Sequence, residues 1–384
     1  MPRLQEARVE LPYTDEHRLF RASVRRFVER EVAPHHAQWE KDGVVSRQVW
    51  RKAGDAGLLL TTMPVDYGGG GADFLTSAIM IEEMARGVYS GPGFRLHSDI
   101  VAPYLLNHGS EEMKRTWLPR MARGEAISAI AMTEPGTGSD LQAIRTTAIR
   151  DGGDYVVNGQ KTFITNGQLA DFVLVACKTN PREGAKGVSL VLVETNRPGF
   201  SRGRNLEKTG MKAQDTSELF FENVRVPVSN LLGEESRGFA YLMSELPRER
   251  LLVAITAVAT MEAALEWTVA YTRDRQAFGK PLAEFQNTRF KLAEVKTEAT
   301  VARVFLNDCI RRFLDGTLDV PTAAMAKWWL TELEGKVLDV CVQLHGGYGY
   351  MWEYPIARAY ADSRVHRIYA GTTEIMKEVV ARSL

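Results

Sequence analysis

Between residues 15 and 39 the apolar positions Leu19, Phe20, Val24, Phe27, Val28 and Val32 recur at helical spacing, one stripe turned toward a core. Thr14 stands where it can cap that helix. The same spacing predicts helices near 46–56, 73–87 and 111–123. The glycine-rich YGGGGAD at 67–73 reads as a flexible turn, because no lysine or helix-start Ser/Thr follows it at phosphate-loop spacing. From about residue 125 the texture changes to short runs rich in β-branched and aromatic residues, at 127–133, 146–150, 155–157, 172–178, 189–194 and 218–226. Asp151-Gly152-Gly153-Asp154 between two of them is a hairpin turn. Strands this close together, without helices between them, predict an antiparallel sheet or small barrel. After Gly233 long helices return, near 237–273, 282–314, 320–344 and 371–382, with Pro247 expected to break the first. The expected fold class is therefore α+β and multidomain. An N-terminal helical domain covers 1–124, a middle antiparallel β domain 125–235, and a C-terminal helical part 236–384. No internal repeat is present.

Composition narrows the function. The 384 residues are 45% hydrophobic and 25% charged, as in a globular enzyme of two or three domains. Basic and acidic residues balance at 48 each, so no global basic excess marks a nucleic-acid binder. Cys177, Cys309 and Cys341 are odd in number and far apart, which supports neither a disulfide framework nor a zinc knuckle and fits a reducing compartment. The scattered histidines show no metal-ligand spacing, so no metal is expected. The segment MPRLQEARVELPYTDEHRLF lacks an apolar core and carries early acids, so no targeting segment is read and a cytoplasmic, bacterial-type location is expected. The most apolar stretch, 251–265, is shorter than the roughly 20 residues of a membrane span and reads as a buried core helix.

Several nucleotide and hydrolase patterns are missing. No GxGxxG opens a βαβ unit, and neither GxxxxGK[ST] nor HExxH occurs. Gly199-Phe200-Ser201-Arg202-Gly203 matches the serine-hydrolase elbow, but RNLEKTGMKAQ after it does not read as the helix that elbow needs. Three segments do carry chemistry. MTEPGTGSD, 132–140, leaves a strand and presents backbone N–H groups and the hydroxyls of Thr133 and Ser139, suited to a polar ring or a phosphate. GQKTFITNG, 159–167, alternates aromatic and hydroxyl residues on a strand. QLHGGYGYMWEYPIAR, 343–358, is followed by RIYAGTTEIMKE, 367–378; Gly346, Gly347 and Gly371 allow close backbone approach, and Thr372 or Thr373 caps the last helix.

These segments, together with RDRQAFGKPLAEFQ (273–286) and MKAQDTSELFFENVRVP (211–227), resemble the acyl-CoA dehydrogenase family over nearly the whole chain. ELPRERLLVA and QLHGGYGYMWEYPIA are most similar to its long-chain type. The resemblance implies a C-terminal four-helix bundle, FAD as cofactor, a homotetramer built as a dimer of dimers, and electron-transferring flavoprotein as electron acceptor. It implies that Met132, Thr133 and Ser139 line the flavin and the acyl-CoA, and that Phe163 packs on the flavin where many relatives have tryptophan. Thr165 would hydrogen-bond near flavin N5. Arg275 and Phe278 of a neighbouring subunit would grip the pyrophosphate and adenosine end. Gln286, Gln343, Gly346, Gly347, Thr372 and Glu374 would make further FAD contacts. Pro247, Arg250, Ala370 and Gly371 fall with Ser139 on the substrate side.

One departure fixes where the base must be. Many relatives carry the catalytic glutamate just before the Gly-Thr of the last motif; here that position is Ala370, in Tyr369-Ala370-Gly371-Thr372. In the long-chain and isovaleryl types the base comes from an Glu-Arg pair on another helix, and Leu246-Pro247-Arg248-Glu249-Arg250 supplies one. Glu249 is therefore the expected base, removing the proton α to the thioester. Competing readings are a flavin oxidase of the same fold, a non-catalytic FAD-binding relative, and, last, a hydrolase built on Ser201.

Overall fold

In the computed structural model, residues 10–384 are described, and they form eleven α-helices and nine strands. The first six helices are α1 (Asp15–Phe27), α2 (Ala33–Asp42), α3 (Arg47–Asp55), α4 (Phe74–Arg86), α5 (Ala102–His108) and α6 (Glu111–Ala122). Strands β1 (Ser128–Ala131), β2 (Thr147–Asp151), β3 (Asp154–Thr165), β4 (Phe172–Lys178), β5 (Val188–Glu194), β6 (Phe200–Asn205) and β7 (Thr216–Pro227) follow. Then come α7 (Gly238–Asp274), the two-residue strands β8 (Gln276–Ala277) and β9 (Lys280–Pro281), α8 (Gln286–Leu314), α9 (Val320–His345), α10 (Pro355–Ser363) and α11 (Thr373–Ala381).

By backbone contacts the chain divides into two units. One holds residues 10–22, Ile81–Val88 and Pro247–Leu384; the other holds Ser23–Met80 and Tyr89–Leu246.

In the second unit, β1 to β7 form a seven-stranded sheet in the order β1-β4-β2-β3-β7-β6, with β5 on the free side of β4. The expected antiparallel sheet is only partly found. β1 pairs with β4 in parallel over Ser128↔Phe172 to Ala131↔Val175, and β2 meets β4 in parallel at Thr147↔Lys178. Chain crossovers that return a strand in the same direction leave no mark in local periodicity, so this register was not visible from spacing. The remaining pairings are antiparallel, and Gly152 takes φ +62° in the β2–β3 hairpin, which closes at Asp151↔Asp154. The inner face packs Val157, Val173, Val175, Val191, Leu219 and Phe221. His97, 0% exposed, lies beneath β1: its Nε2–H donates to the Met121 carbonyl at 3.1 Å and its Nδ1 meets Ser128 Oγ at 2.9 Å. Burial pulls its pKa down to about 4, so the ring is neutral.

The first unit is built on α7, α8 and α9. Leu251, Leu252, Ile255, Val258 and Met261 of α7 are buried with Val295, Ala302 and Leu306 of α8 and Leu330, Val337 and Leu338 of α9. Arg303 of α8 binds Glu262 at 2.7 Å and Glu82 at 2.6 Å, and Arg21 binds Glu82 at 2.7 Å and Glu83 at 3.0 Å. Paired this way, each buried charge has its counterion. By length and composition α7 could cross a membrane, but 67% of its apolar window is buried within the protein.

Local differences from the sequence expectation have local causes. The helix expected over 15–39 contains a π-helical turn at Val28–Val32, where Pro34 begins α2 without an N–H to give. Leu19 is 70% exposed and so lies off the core stripe, whereas Val24 and Val32 are fully buried. Thr14 accepts the His17 N–H at 3.4 Å, as a capping residue does. Pro247 does not break α7, which runs through it; a proline omits one rung of the ladder, and the apolar residues after it hold the helix by burial. Helices α5 and α10 and strand β6 were not expected. The three thiols are free and buried, and no group of three or more His, Cys, Asp or Glu side chains suited to a metal occurs among the described residues.

Candidate active site

In the sheet unit the candidate residues converge on the end of β3. Its ladder with β7 steps from Lys161↔Leu219 to Ile164↔Ser217, so two residues of β3 face one of β7. Such a bulge re-aims a side chain. Here it puts Phe163 at φ +60° and leaves its ring 67% exposed. Thr165, two residues on, is half-buried.

Met132 and Thr133, also half-buried, are tied to this bulge: the Thr162 N–H donates to the Thr133 carbonyl at 3.0 Å. The turn beyond them closes with a reciprocal pair of Glu134 and Thr137 backbone bonds at 2.9 and 3.0 Å, and Ser139 is exposed past it. Beneath the turn lies a pair that spacing did not single out. Lys161 Nζ donates to Glu134 Oε1 at 2.9 Å and to the Met132 carbonyl at 2.8 Å. Glu134 also accepts the Arg145 and Thr146 N–H groups at 2.7 and 2.9 Å. Burial opposes ionisation of Glu134, but the Lys161 charge and these donors outweigh it and hold its carboxyl low. A lysine at an inward position of a strand was the signal available for it.

In the helical unit the candidates fall into two groups. The first surrounds the junction of α7 and α8. Phe278 (φ +51°) and Gly279 (φ +79°) form the two-residue loop of the β8–β9 hairpin, whose Ala277↔Lys280 pairing leaves Phe278 96% exposed. Two consecutive left-handed residues are what a tight hairpin needs. Phe278 packs edge-on to Phe285 at 6.2 Å, next to exposed Gln286. The guanidinium of Arg275 lies 5.5 Å from the Tyr348 ring, while Tyr271 stacks on His345 at 4.3 Å and donates to its carbonyl at 3.0 Å. This joins Arg275 to the turn carrying Gln343, Gly346 and Gly347, all exposed. A side chain added at Gly346 or Gly347 would meet nothing within 4 Å.

The second group lies along α7, α9 and the start of α11. Glu249 and Arg250 are 7% and 5% exposed, and Pro247 is half-buried beside them. Burial lowers the Arg250 pKa, with the Glu249 charge opposing. Arg250 also acts on Lys327, whose Nζ donates to the Gly371 carbonyl. Arg250, Lys327 and the Ala370–Gly371 turn are thus one neighbourhood, with Glu249 next to Arg250 on α7. Ala370 has φ +53° and Gly371 φ +94°. Thr372 caps α11 by accepting the Ile375 N–H at 3.3 Å. Glu374 is exposed in the first helical turn, where its own N–H and the Thr372 hydroxyl hold its carboxyl low. Three candidate residues, Phe163, Phe278 and Ala370, adopt left-handed backbone without being glycine, a conformation that concentrates at functional sites.

Ser201 lies exposed within β6, with no helix after it, so the hydrolase elbow is absent. The residues fit a flavin dinucleotide. The outward Phe163 face with the Thr165 hydroxyl suits a flat ring with a polar edge, and the exposed Arg275 among aromatic rings suits a pyrophosphate and a purine.

The fold and these clusters define a flavin-dependent oxidoreductase with a helical–β–helical chain. Family models for the N-terminal, middle and C-terminal domains of acyl-CoA dehydrogenase match residues 14–125, 129–224 and 236–384. The chain belongs to the acyl-CoA dehydrogenase family, whose members carry out FAD-dependent dehydrogenation of acyl-CoA thioesters. It is 54% identical over 374 residues to the mitochondrial long-chain specific acyl-CoA dehydrogenase of Sus scrofa, covering 97% of this chain and 87% of that one. A solved acyl-CoA dehydrogenase from Geobacillus kaustophilus superposes with TM-score 0.95 at 50% identity, over 97% of this chain and 98% of that one. A glutaryl-CoA dehydrogenase from Mycobacterium smegmatis, solved in complex with FADH2, gives TM-score 0.89 at 29% identity, over 97% of this chain and 95% of that one.

Proposed function

We propose that the chain oxidises medium-to-long or branched acyl-CoA thioesters to trans-2-enoyl-CoA, with Glu249 as the base that removes the α-proton. One observation carries this: the position before Gly371 is alanine, while α7 holds a buried carboxylate, Glu249, beside Arg250, whose charge reaches the Lys327 that binds the Gly371 carbonyl. The thioester oxygen gains negative charge as the α-proton leaves, and the Ala370 N–H is the donor assigned to it; a backbone donor is unaffected by the missing side chain. The left-handed turn at 370–371 fixes the direction of that N–H. A methyl group at 370 leaves room for a base from α7. An acyl chain lying over the site excludes water, which brings the pKa of a buried carboxylate toward the working pH. FAD, when bound, accepts the hydride from Cβ. Phe163 and Thr165, with Met132, Thr133 and Ser139, are assigned to its ring and to the acyl-CoA. Thr372 and Glu374 are assigned to further FAD contacts, and Pro247, Arg250 and Gly371 to the substrate. The division at residues 124 and 235 into three domains is part of the same reading.

Arg275 and Phe278 are assigned to the pyrophosphate and adenosine of another copy's FAD, and Gln286, Gln343, Gly346 and Gly347 to further FAD contacts. Helix α7 supports this: at roughly 1.5 Å per residue, Glu249 and the end of α7 lie about 37 Å apart, longer than an extended FAD. On this reading the cofactor is shared between copies, in the homotetramer that the family resemblance implies. Electron-transferring flavoprotein is the proposed electron acceptor, and a cytoplasmic location is proposed.

The test is anaerobic mixing of the purified flavoprotein with acyl-CoA thioesters of increasing length. Bleaching of the oxidised flavin with formation of the 2-enoyl product is expected. A flavin that no acyl-CoA reduces would refute the reading.

A further inference from the structure

Lys327 of α9 is 0% exposed, set among the buried Ala323, Ala324, Ala326 and Leu330. Its ammonium makes no ion pair with a carboxylate among the described residues. It donates to one acceptor, the carbonyl of Gly371. Burial pulls its pKa down to about 8, the Arg250 charge pushes the same way, and Glu332 and Glu374 oppose. Burying an ammonium without a counterion is costly, and an apolar residue of similar length would remove that cost.

What the lysine holds accounts for its presence. Ala370 and Gly371 are consecutive left-handed residues, and a Cβ at Gly371 would come within 2.5 Å of Met376 Cε. The same helix clamps the chain on both sides of this turn. Glu334 is bonded to His366 Nδ1 at 2.8 Å, and the His366 ring stacks on Tyr369 at 5.5 Å. Glu332 accepts from the Thr373 hydroxyl at 2.8 Å. Between those clamps the peptide that follows Gly371 is held by Lys327.

We propose that Lys327 is a positioning residue for the dehydrogenation. By pinning the Gly371 carbonyl it orients the Ala370 N–H toward the thioester oxygen and sets a positive charge behind the turn where enolate charge develops. The inference rests on the assignment of Ala370 as that donor. It transfers no proton and needs no further reactant.

The probe is an acyl-CoA thioester with sulfur in place of the β-methylene, added to the oxidised, FAD-loaded enzyme at a fixed pH of about 7, where carboxylate bases are ionised. Its α-proton can be removed, but no β-hydride is available, so the enolate persists and shows as a long-wavelength absorbance band with the flavin. Lys327→Met is expected to lower the ratio of ionised to neutral bound probe about tenfold, the size of one lost charge-assisted interaction. Total probe binding and FAD content should stay close to those of the parent. Lys327→Gln, which keeps a donor without the charge, should fall between the two and carries the same test if the methionine variant does not accumulate with FAD. A lower melting temperature with an unchanged ratio would overturn the inference and leave Lys327 a structural residue. No band in the parent enzyme would overturn the Ala370 and Glu249 assignments, and this inference with them.

Discussion

Lys161 and Glu134 face each other at 2.9 Å beneath the turn that carries Met132 and Thr133, with the lysine side chain wholly out of solvent. Removing one partner strands the other as a buried charge. Lys161→Met should therefore destabilise the protein by about 3 kcal/mol or more and lower its FAD content. The double variant Lys161→Met/Glu134→Gln should recover much of that loss. Chemical denaturation with flavin retention, run as a double-mutant cycle, checks this; additive losses would show the pair is uncoupled.

Glu249→Gln keeps the shape of the side chain and removes the proposed base. It should bind FAD and acyl-CoA, and be reduced normally by dithionite, while its reduction by substrate falls by more than about 10²-fold. Glu374→Gln should still be reduced by substrate. The opposite pattern would move the base to α11. Glutamate at Ala370 in the Glu249→Gln background should restore part of the rate, because both positions address one Cα–H bond.

Chain-length dependence reads the acyl pocket. Each further buried methylene adds roughly 0.8 kcal/mol until the pocket ends, so kcat/KM should climb with length and then level off. A maximum at butyryl-CoA would contradict the long-chain assignment.

Phe278 offers a nearly bare ring on a two-residue hairpin. If its partner is the FAD of another copy, Phe278→Asp should weaken FAD retention and assembly together. Light scattering at several FAD concentrations measures both; a variant that loses neither would detach Phe278 from the cofactor.

His97 gives the acid limit of the sheet unit. Its folded pKa of about 4 lies below the ordinary value of 6.5, so between these pH values the unfolded chain binds a proton that the folded one does not. Stability is therefore whole above pH 6.5 and lost as pH falls toward 4. Between pH 7 and 5 the loss should be about 2 kcal/mol. In His97→Gln the urea midpoint should fall less over the same interval.

Much of this was legible in the order of residues. The spans of α3, α4, α6, α8 and α9 follow from apolar periodicity, and the β2–β3 hairpin from its glycines. The missing acid at Ala370 pointed to Glu249 because it is a local fact set against a family pattern. What stayed hidden depends on partners far along the chain. Spacing cannot show that β1 lies parallel to β4, that Lys161 finds Glu134, or that Lys327 finds Gly371. Pro247 misled for a related reason: its local rule was outweighed by burial of the residues that follow it.

The pairing of β3 with β7 bears on how the protein is made. The bulge that turns Phe163 outward exists only against β7, in a ladder that joins Thr165 to Thr216 and Asp154 to Pro227. On the ribosome, a chain that has emerged only through β5 has β3 paired with β2 over residues 154–158 but no partner for its bulged end. The bulge is then absent, and an apolar strand edge stands open. If Phe163 packs on the flavin as proposed, cofactor capture waits for β7. Defects in β7 should lower the yield of flavin-loaded protein from new synthesis more than they shorten the life of molecules already loaded.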